Sequence, residues 1–157
     1  ALSTPIYIIW SSCVHFQDNY INGKLNFEHC SKCEVSGGYF DVGAYNMAIE
    51  FKGVRRSRIH DITIHQLGDG PKTYDAIKLS SADSIHSTDN IFSNLFIGRT
   101  GTGTRQFAYG IEEIDANQNY NIYSNINGRD CVNGTLRVLG ANSTYDADSI
   151  IGTIDTS

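Results

Sequence analysis

The chain has 157 residues, of which 40% are hydrophobic and 18% charged, with a formal net charge of −5. That balance suits a packed chain with a real core and excludes a disordered one. Its acidity excludes the basic face a nucleic-acid binder needs, and no apolar run approaches the ~18 residues of a membrane helix. Fifteen Gly and only two Pro suit an all-β chain with many tight turns. The chain does not begin with Met, which reads as a processed, excised or engineered product, and nothing in it resembles a signal peptide.

In chain order, Pro5 to Trp10 (PIYIIW) is a short apolar run that predicts a strand. Phe16/Tyr20 follows, then LNFEH with Phe27 at its centre, and then Val35/Tyr39 around Gly37-Gly38. IEFKG brings Phe51, and the next apolar pair is the tighter Ile59/Ile62. The long excursion QLGDGPKTYD (Gln66 to Asp75) leads into IKLSS with Leu79, followed by Ile91/Leu95 around Ser93-Asn94. GRTGTGTRQFAYG (Gly98 to Gly110) is a second excursion. EIDAN with Ile114 comes next, then Ile122/Ile126 around Ser124-Asn125, and LRVLG with Val138.

Phe27, Phe51, Leu79, Ile114 and Val138 thus form one predicted anchor column, with members 24 to 35 residues apart. A repeat of that period and variable length predicts a solenoid whose insertions are loops. Alternation of period two inside each segment puts Ile49 and Phe51 on one face and Glu50 and Lys52 on the other. Asn and Gly at the turns tolerate left-handed backbone, and stacking would set Asn94 beside Asn125 as a short ladder. No long amphipathic window predicts a helix.

The stretches YNMAIEFKGVRRSRIHDITIHQLG and YDAIKLSSADSIHSTDNIFSNLFIG resemble the right-handed parallel β-helix of pectin-lyase-like proteins. The resemblance runs from about Pro5 to Ile154 and is one of repeat pattern, without a catalytic signature. It implies an all-β, right-handed parallel β-helix solenoid of about six coils, in one domain spanning residues 1–157. The family includes polysaccharide lyases, glycosidases, epimerases, phage tailspikes and surface proteins, so the step from fold to reaction is analogy.

Several side-chain sets invite a functional reading. Cys13, His29, Cys30 and Cys33 are a donor set zinc would accept, although the second Cys-x-x-Cys of a typical structural site is missing. A disulfide and buried free thiols are the alternatives, and the third is preferred because adjacent-turn Cys residues commonly pack as small buried groups. The outward positions of the anchor strands read Asn26, Glu50, Lys78, Glu113 and Arg137, a charge ladder of alternating sign. The resemblance places that face near a catalytic groove and offers Glu112, Glu113 and Asp115 as general acids or bases; a structural ladder is the preferred reading.

The two excursions are expected to leave from one edge and to form a cleft wall carrying Asp69, Lys72, Tyr74, Asp75, Arg99, Arg105, Gln106 and Tyr109. Cations beside tyrosines suit an acidic or hydroxylated sugar chain. His60, Phe92, Tyr123 and Phe96 are predicted to face outward as an aromatic platform, and His60 and His65 to lie on opposite faces. No Ser–His–Asp set is evident. Sequons at Asn133 and Asn142 hint at an extracellular, cell-surface or virion setting. The resulting expectation is a structural or adhesive module that binds polysaccharide, with a polysaccharide-active lyase, epimerase or glycosidase as the alternative. No cofactor and no nucleic-acid partner are implied. Uncapped ends predict end-to-end or lateral self-association.

Overall fold

The computed structural model describes residues 5–43, 47–66, 73–99, 107–128 and 130–157. The described residues form sixteen strands and a single short 3-10 turn at Ala147–Ser149. The strands are β1 (Ile6–Ile9), β2 (His15–Gln17), β3 (Tyr20–Asn22), β4 (Leu25–Glu28), β5 (Glu34–Ser36), β6 (Tyr39–Val42), β7 (Ile49–Lys52) and β8 (Arg58–Gln66). They continue as β9 (Ile77–Ser80), β10 (Ile91–Arg99), β11 (Tyr109–Glu113), β12 (Ile122–Asn127), β13 (Gly134–Arg137), β14 (Thr144–Tyr145), β15 (Ile150–Ile151) and β16 (Ile154–Asp155).

Two sheets result. The first is seven-stranded in the order β1-β4-β7-β9-β11-β13-β16. The second is nine-stranded and built on β2-β5-β8-β10-β12-β14, with β3 and β6 extending one side and β15 pairing with β12. Every named strand pairing is parallel, and the chain alternates between the sheets on each pass. PIYIIW forms β1 as expected.

Register decides which residues form the core. Phe27 pairs with Phe51, Phe51 with Leu79, and Leu79 with Glu113. Glu113 therefore takes the place expected for Ile114, which is 38% exposed. The expected column fails at that one member because hydropathy favours Ile114 while the pairing is set one residue earlier, and a one-residue slip exchanges faces. On the second sheet, Val35, Ile59, Phe92 and Tyr123 align as the inward column. Ile91 and Ile122 pair instead with outward positions, and Ile122 is 46% exposed. Phe92 and Tyr123 are accordingly buried, not the outward platform expected of them, whereas Phe96 is exposed and His60 faces outward. Aromatic contacts run through the core from Phe27 to Phe51 (5.3 Å), Phe51 to Phe92 (5.9 Å) and Phe92 to Tyr123 (5.2 Å).

Left-handed residues recur at the bends. Asp18, Gly37, Asp61, Asn94 and Asn125 all have φ between 50° and 60°. Small polar side chains and glycine tolerate that conformation. At Gly37 the glycine is required, since a Cβ would lie 2.0 Å from Asp18 Oδ1. Asp61, Asn94 and Asn125 form the expected ladder with one extra rung: Asn125 Nδ2 donates to Asn94 Oδ1 (2.7 Å), and Asn94 Nδ2 to Asp61 Oδ1 (2.8 Å). The bend at Asp61 also puts His60 and His65 on the same outward face, which a regular strand would not do. His60 lies 2.6 Å from Asp61 and 2.8 Å from Glu34, and these acidic neighbours, Asp61 first, raise its pKa.

A second polar file runs inside the protein. Ser57 Oγ accepts from Cys33 N–H, Asn90 Oδ1 from Ser57 N–H, Asn121 Oδ1 from Asn90 N–H, and Ser143 Oγ from Asn121 N–H. Each side chain pairs a buried backbone donor of its neighbouring pass.

Phe51 is fully buried between two aromatic neighbours. Phe51→Ala is expected to cost about 3–5 kcal/mol in denaturant unfolding; a loss under 1 kcal/mol would mean that this column is not the core.

Candidate functional site

The outward row of the first sheet is Asn26, Glu50, Lys78, Glu112, Arg137 and Asp155, each aligned with the next. The alternating charge ladder is therefore present, with Glu112 in place of the expected Glu113. Arg137 Nη1 lies 2.9 Å from Glu112 Oε1, and its Nε 3.5 Å from Asp155 Oδ2. Glu50 is held by Lys24 and, at 3.8 Å, by Lys52.

Beside this row opens a cleft of about 430 Å³. Asp75, Lys78, Tyr109, Glu112 and Arg137 supply its ionisable wall, together with Thr73 and Asn133. Strand β9 presents Lys78, β11 presents Tyr109 and Glu112, and β13 presents Arg137. Because pairing is parallel and in register, three separate segments deliver their polar side chains to one place. The Arg137 guanidinium sits 5.7 Å from the Tyr109 ring centroid, within range of a cation–π contact. Tyr109 donates its hydroxyl to Asp155 (2.6 Å). That bond pushes Tyr109 up to about 12, and the Tyr109 hydroxyl with the Ser157 donors holds Asp155 down at about 2.

Asp75 is the unusual member. It is nearly buried and its Oδ1 accepts the Tyr109 N–H at 3.1 Å. Burial first, then the adjacent Glu112 carboxyl, pushes its pKa up to about 7. The Tyr109 N–H and Lys78 pull the other way without winning. Two neighbouring carboxyls cannot both ionise freely, so Asp75 keeps its proton to a higher pH than an exposed carboxyl does. The arrangement is a proton donor and acceptor with two cations at its side.

The structure thus brings together Asp75, Tyr109 and Glu112 from the predicted residues. Asp69, Lys72, Arg105 and Gln106 lie outside the described residues, as does the side chain of Arg99 at the end of β10. Tyr74 is half-buried, and its carbonyl accepts the Ala108 N–H. Asp115 stays out of the cleft and closes a turn, accepting from Asn117 N–H (2.8 Å) and Gln118 Nε2 (3.2 Å). Lys78 and Arg137 were legible as ladder residues only, because their place in a cleft depends on what the loops leave open.

The four Cys/His ligand candidates do not converge. Ser12 pairs with Ser31, which aligns Cys13 with Lys32 and leaves Cys13 exposed, against the expected burial beside Cys30. Cys30 and Cys33 are buried free thiols, and burial raises the Cys33 pKa. His29 stacks on Trp10 at 3.9 Å and meets Asp83 at 3.1 Å. Among the described residues no three His, Cys, Asp or Glu side chains are arranged to hold a metal.

Glu113 points the other way, into the core, and is fully buried. Oε1 accepts from Asn121 Nδ2 (3.0 Å), Tyr123 Oη (2.7 Å) and Ser143 Oγ (2.7 Å). Oε2 accepts from the Leu139 and Gly140 N–H groups at 2.8 and 2.7 Å. Neither the ladder role nor the general-acid role expected of Glu113 fits a side chain sealed from solvent. It is a structural acceptor that ties β11, β12 and the turn after β13 together.

Comparison of the chain with known protein families, with curated proteins and with solved structures returns no match.

Glu113→Gln presents an amide N–H₂ where donors already converge, so unfolding should show a loss of about 2–3 kcal/mol; an unchanged midpoint would exclude the acceptor role. For Asp75, the folded-state pKa lies above the ordinary 3.8. The unfolded chain therefore binds fewer protons between 3.8 and about 7, and Asp75's contribution to stability falls as pH rises through that window. Asp75→Asn should flatten the fall in thermal midpoint over the same range, whereas an unaltered pH profile would place the proton elsewhere.

Proposed function

We propose that the chain is a right-handed parallel β-helix of about six coils that binds an acidic polysaccharide in the Asp75–Arg137 cleft. The alternation of the chain between two parallel sheets supports the helical reading, and right-handed crossovers are the rule for parallel strands. The observation that carries the binding reading is the cleft itself, where Lys78 and Arg137 stand beside the nearly buried Asp75. A sugar carboxylate gains from both cations, and the raised pKa of Asp75 lessens the repulsion that two ionised carboxylates would impose. The Tyr109 ring adds an aromatic wall, although it is engaged on one side by Arg137. The resemblance to pectin-lyase-like proteins goes with this reading, as does an extracellular, cell-surface or virion setting. Exposed Ile6, Tyr7 and Ile9 along β1 favour self-association through that border of the first sheet.

A second reading, cleavage of the bound glycan, is favoured by the pKa of Asp75 alone. A carboxyl poised near 7 suits general acid catalysis of glycosidic bond breaking. Binding without turnover is preferred because Glu112 is tied to Arg137 and no further carboxyl lines the cleft among the described residues.

Calorimetric titration with uronic-acid oligomers separates these readings. Binding is expected to be tighter than for neutral oligomers of the same length, to weaken with salt, and to drop about tenfold or more in Lys78→Ala and Arg137→Ala. Equal affinity for neutral oligomers, or no heat at all, would remove the proposal, and newly released reducing or unsaturated ends would move it to the catalytic reading.

A further inference from the structure

A second polar cluster lies where the chain turns after β9, away from the carboxyl pair. Ser81 Oγ and His86 Nδ1 are 2.7 Å apart, and both side chains are half-exposed. Beneath this contact lies Gln118, which is fully buried. Gln118 Oε1 accepts the Ser87 N–H at 2.9 Å, so its amide nitrogen must be the atom facing Ser81. That nitrogen donates to Ser81 Oγ at 2.9 Å and to Asp115 Oδ1 at 3.2 Å. Accepting from Gln118 leaves the Ser81 hydroxyl its own proton, and with Nδ1 unprotonated that hydroxyl donates to His86. The serine is oriented from below and faces a base in front.

The link between the two residues is a tight hairpin that nothing in the strand stacking requires. Ala82 and Ile85 pair antiparallel, with N–H···O distances of 2.9 and 2.7 Å. The two turn residues, Asp83 and Ser84, have φ of 46° and 64°, a left-handed pair for which Asn-Gly or Asp-Gly is the ordinary choice. Backbone of this kind persists where the surroundings over-determine it. The surroundings here are specific. Asp83 meets His29 Nε2 at 3.1 Å, and Gly53 leaves room for Ile85, since a Cβ at Gly53 would lie 3.0 Å from the Ile85 carbonyl oxygen. The hairpin folds back by just the length that returns His86 to Ser81.

We propose that Ser81 is a nucleophile activated by His86, with Gln118 as its positioning residue, and that it accepts the acyl group of a small ester such as an O-acetyl group. Ser81 Oγ would bond to the ester carbonyl carbon while His86 Nδ1 takes the hydroxyl proton. The carbon–oxygen bond to the alcohol then breaks, and the alcohol leaves with that proton. Water attacks the acyl-serine by the same path in reverse, passing its proton through His86, and releases the acid. The step needs no redox partner and is independent of ligand binding in the Asp75 cleft.

The test is phosphonylation of the intact chain by a fluorophosphonate, read by mass spectrometry and peptide mapping. One equivalent is expected on Ser81, none on Ser81→Ala, and a rate at least about tenfold slower in His86→Asn. Gly53→Ala, which displaces the hairpin without touching either residue, should also slow labelling, whereas a merely structural hydrogen bond would leave every rate at that of a free serine. Labelling that survives Ser81→Ala, maps to another residue, or fails in the unsubstituted chain overturns the proposal. Ser81→Thr retains a hydroxyl and should keep measurable labelling if Ser81→Ala does not fold.

Discussion

In-register parallel pairing is the constraint from which the other features descend. Each pass must return every strand to the same rank as its predecessor, so a residue on one pass has its counterpart directly above it on the next. Side chains then add up in files. Apolar files make the core, and amide and hydroxyl files satisfy the backbone at the bends where no strand partner exists. The inner file of Ser57, Asn90, Asn121 and Ser143 shows what such order requires, because each oxygen serves a backbone N–H of another pass. A slip of one residue would leave several buried donors without acceptors at once.

The same rule explains how a charged cleft arises on a surface otherwise made of a repeat. Outward files collect like positions, and alternation of sign along Glu50, Lys78, Glu112, Arg137 and Asp155 keeps that collection from repelling itself. Asp75 enters from outside the file, and burial first, then the neighbouring Glu112, raises its pKa. The inward Glu113, one residue from Glu112, has no such freedom: five donors hold it. Two adjacent carboxyls thus have opposite lives, decided by which way the pleat turns each one.

The strands and their period were legible in the sequence because alternation and spacing are local properties. Phe27, Phe51 and Leu79 align in the sequence itself, since each sits between polar neighbours in a segment of the same form. Register failed where the local pattern was symmetric. EIDAN offers an apolar residue beside a carboxyl, and hydropathy favours Ile114 as the buried one. Only the donors arriving from Asn121, Tyr123, Ser143 and the Leu139–Gly140 turn make burial of Glu113 favourable, and none of them is near it in sequence. Phe92 and Tyr123 went astray for a related reason: each follows an isoleucine that looked like the better core residue. The left-handed bends at Asp61, Asn94 and Asn125 lie inside strands, so they shift the alternation midway without any Gly or Pro to announce it. The cleft was half legible, through Asp75, Tyr109 and Glu112, while the Ser81–His86 pair left no motif at all because a hairpin of ordinary residues creates it.

That hairpin has a bearing on how such a protein can change over generations. The same interval separates Ile8 from Phe16, Phe27 from Val35, and Phe51 from Ile59, so three successive passes turn the corner with chain of one length. Between Leu79 and Phe92 the corner is longer, and the surplus is the hairpin that closes through Ala82 and Ile85. Its ends are adjacent in space, so the strands on either side rejoin their files as if nothing had been added. A graft of this kind leaves the scaffold's bookkeeping untouched. New chemistry at the corner can be acquired, altered or lost by trimming one loop, while the stacked strands continue to fold by the rule they share with their neighbours.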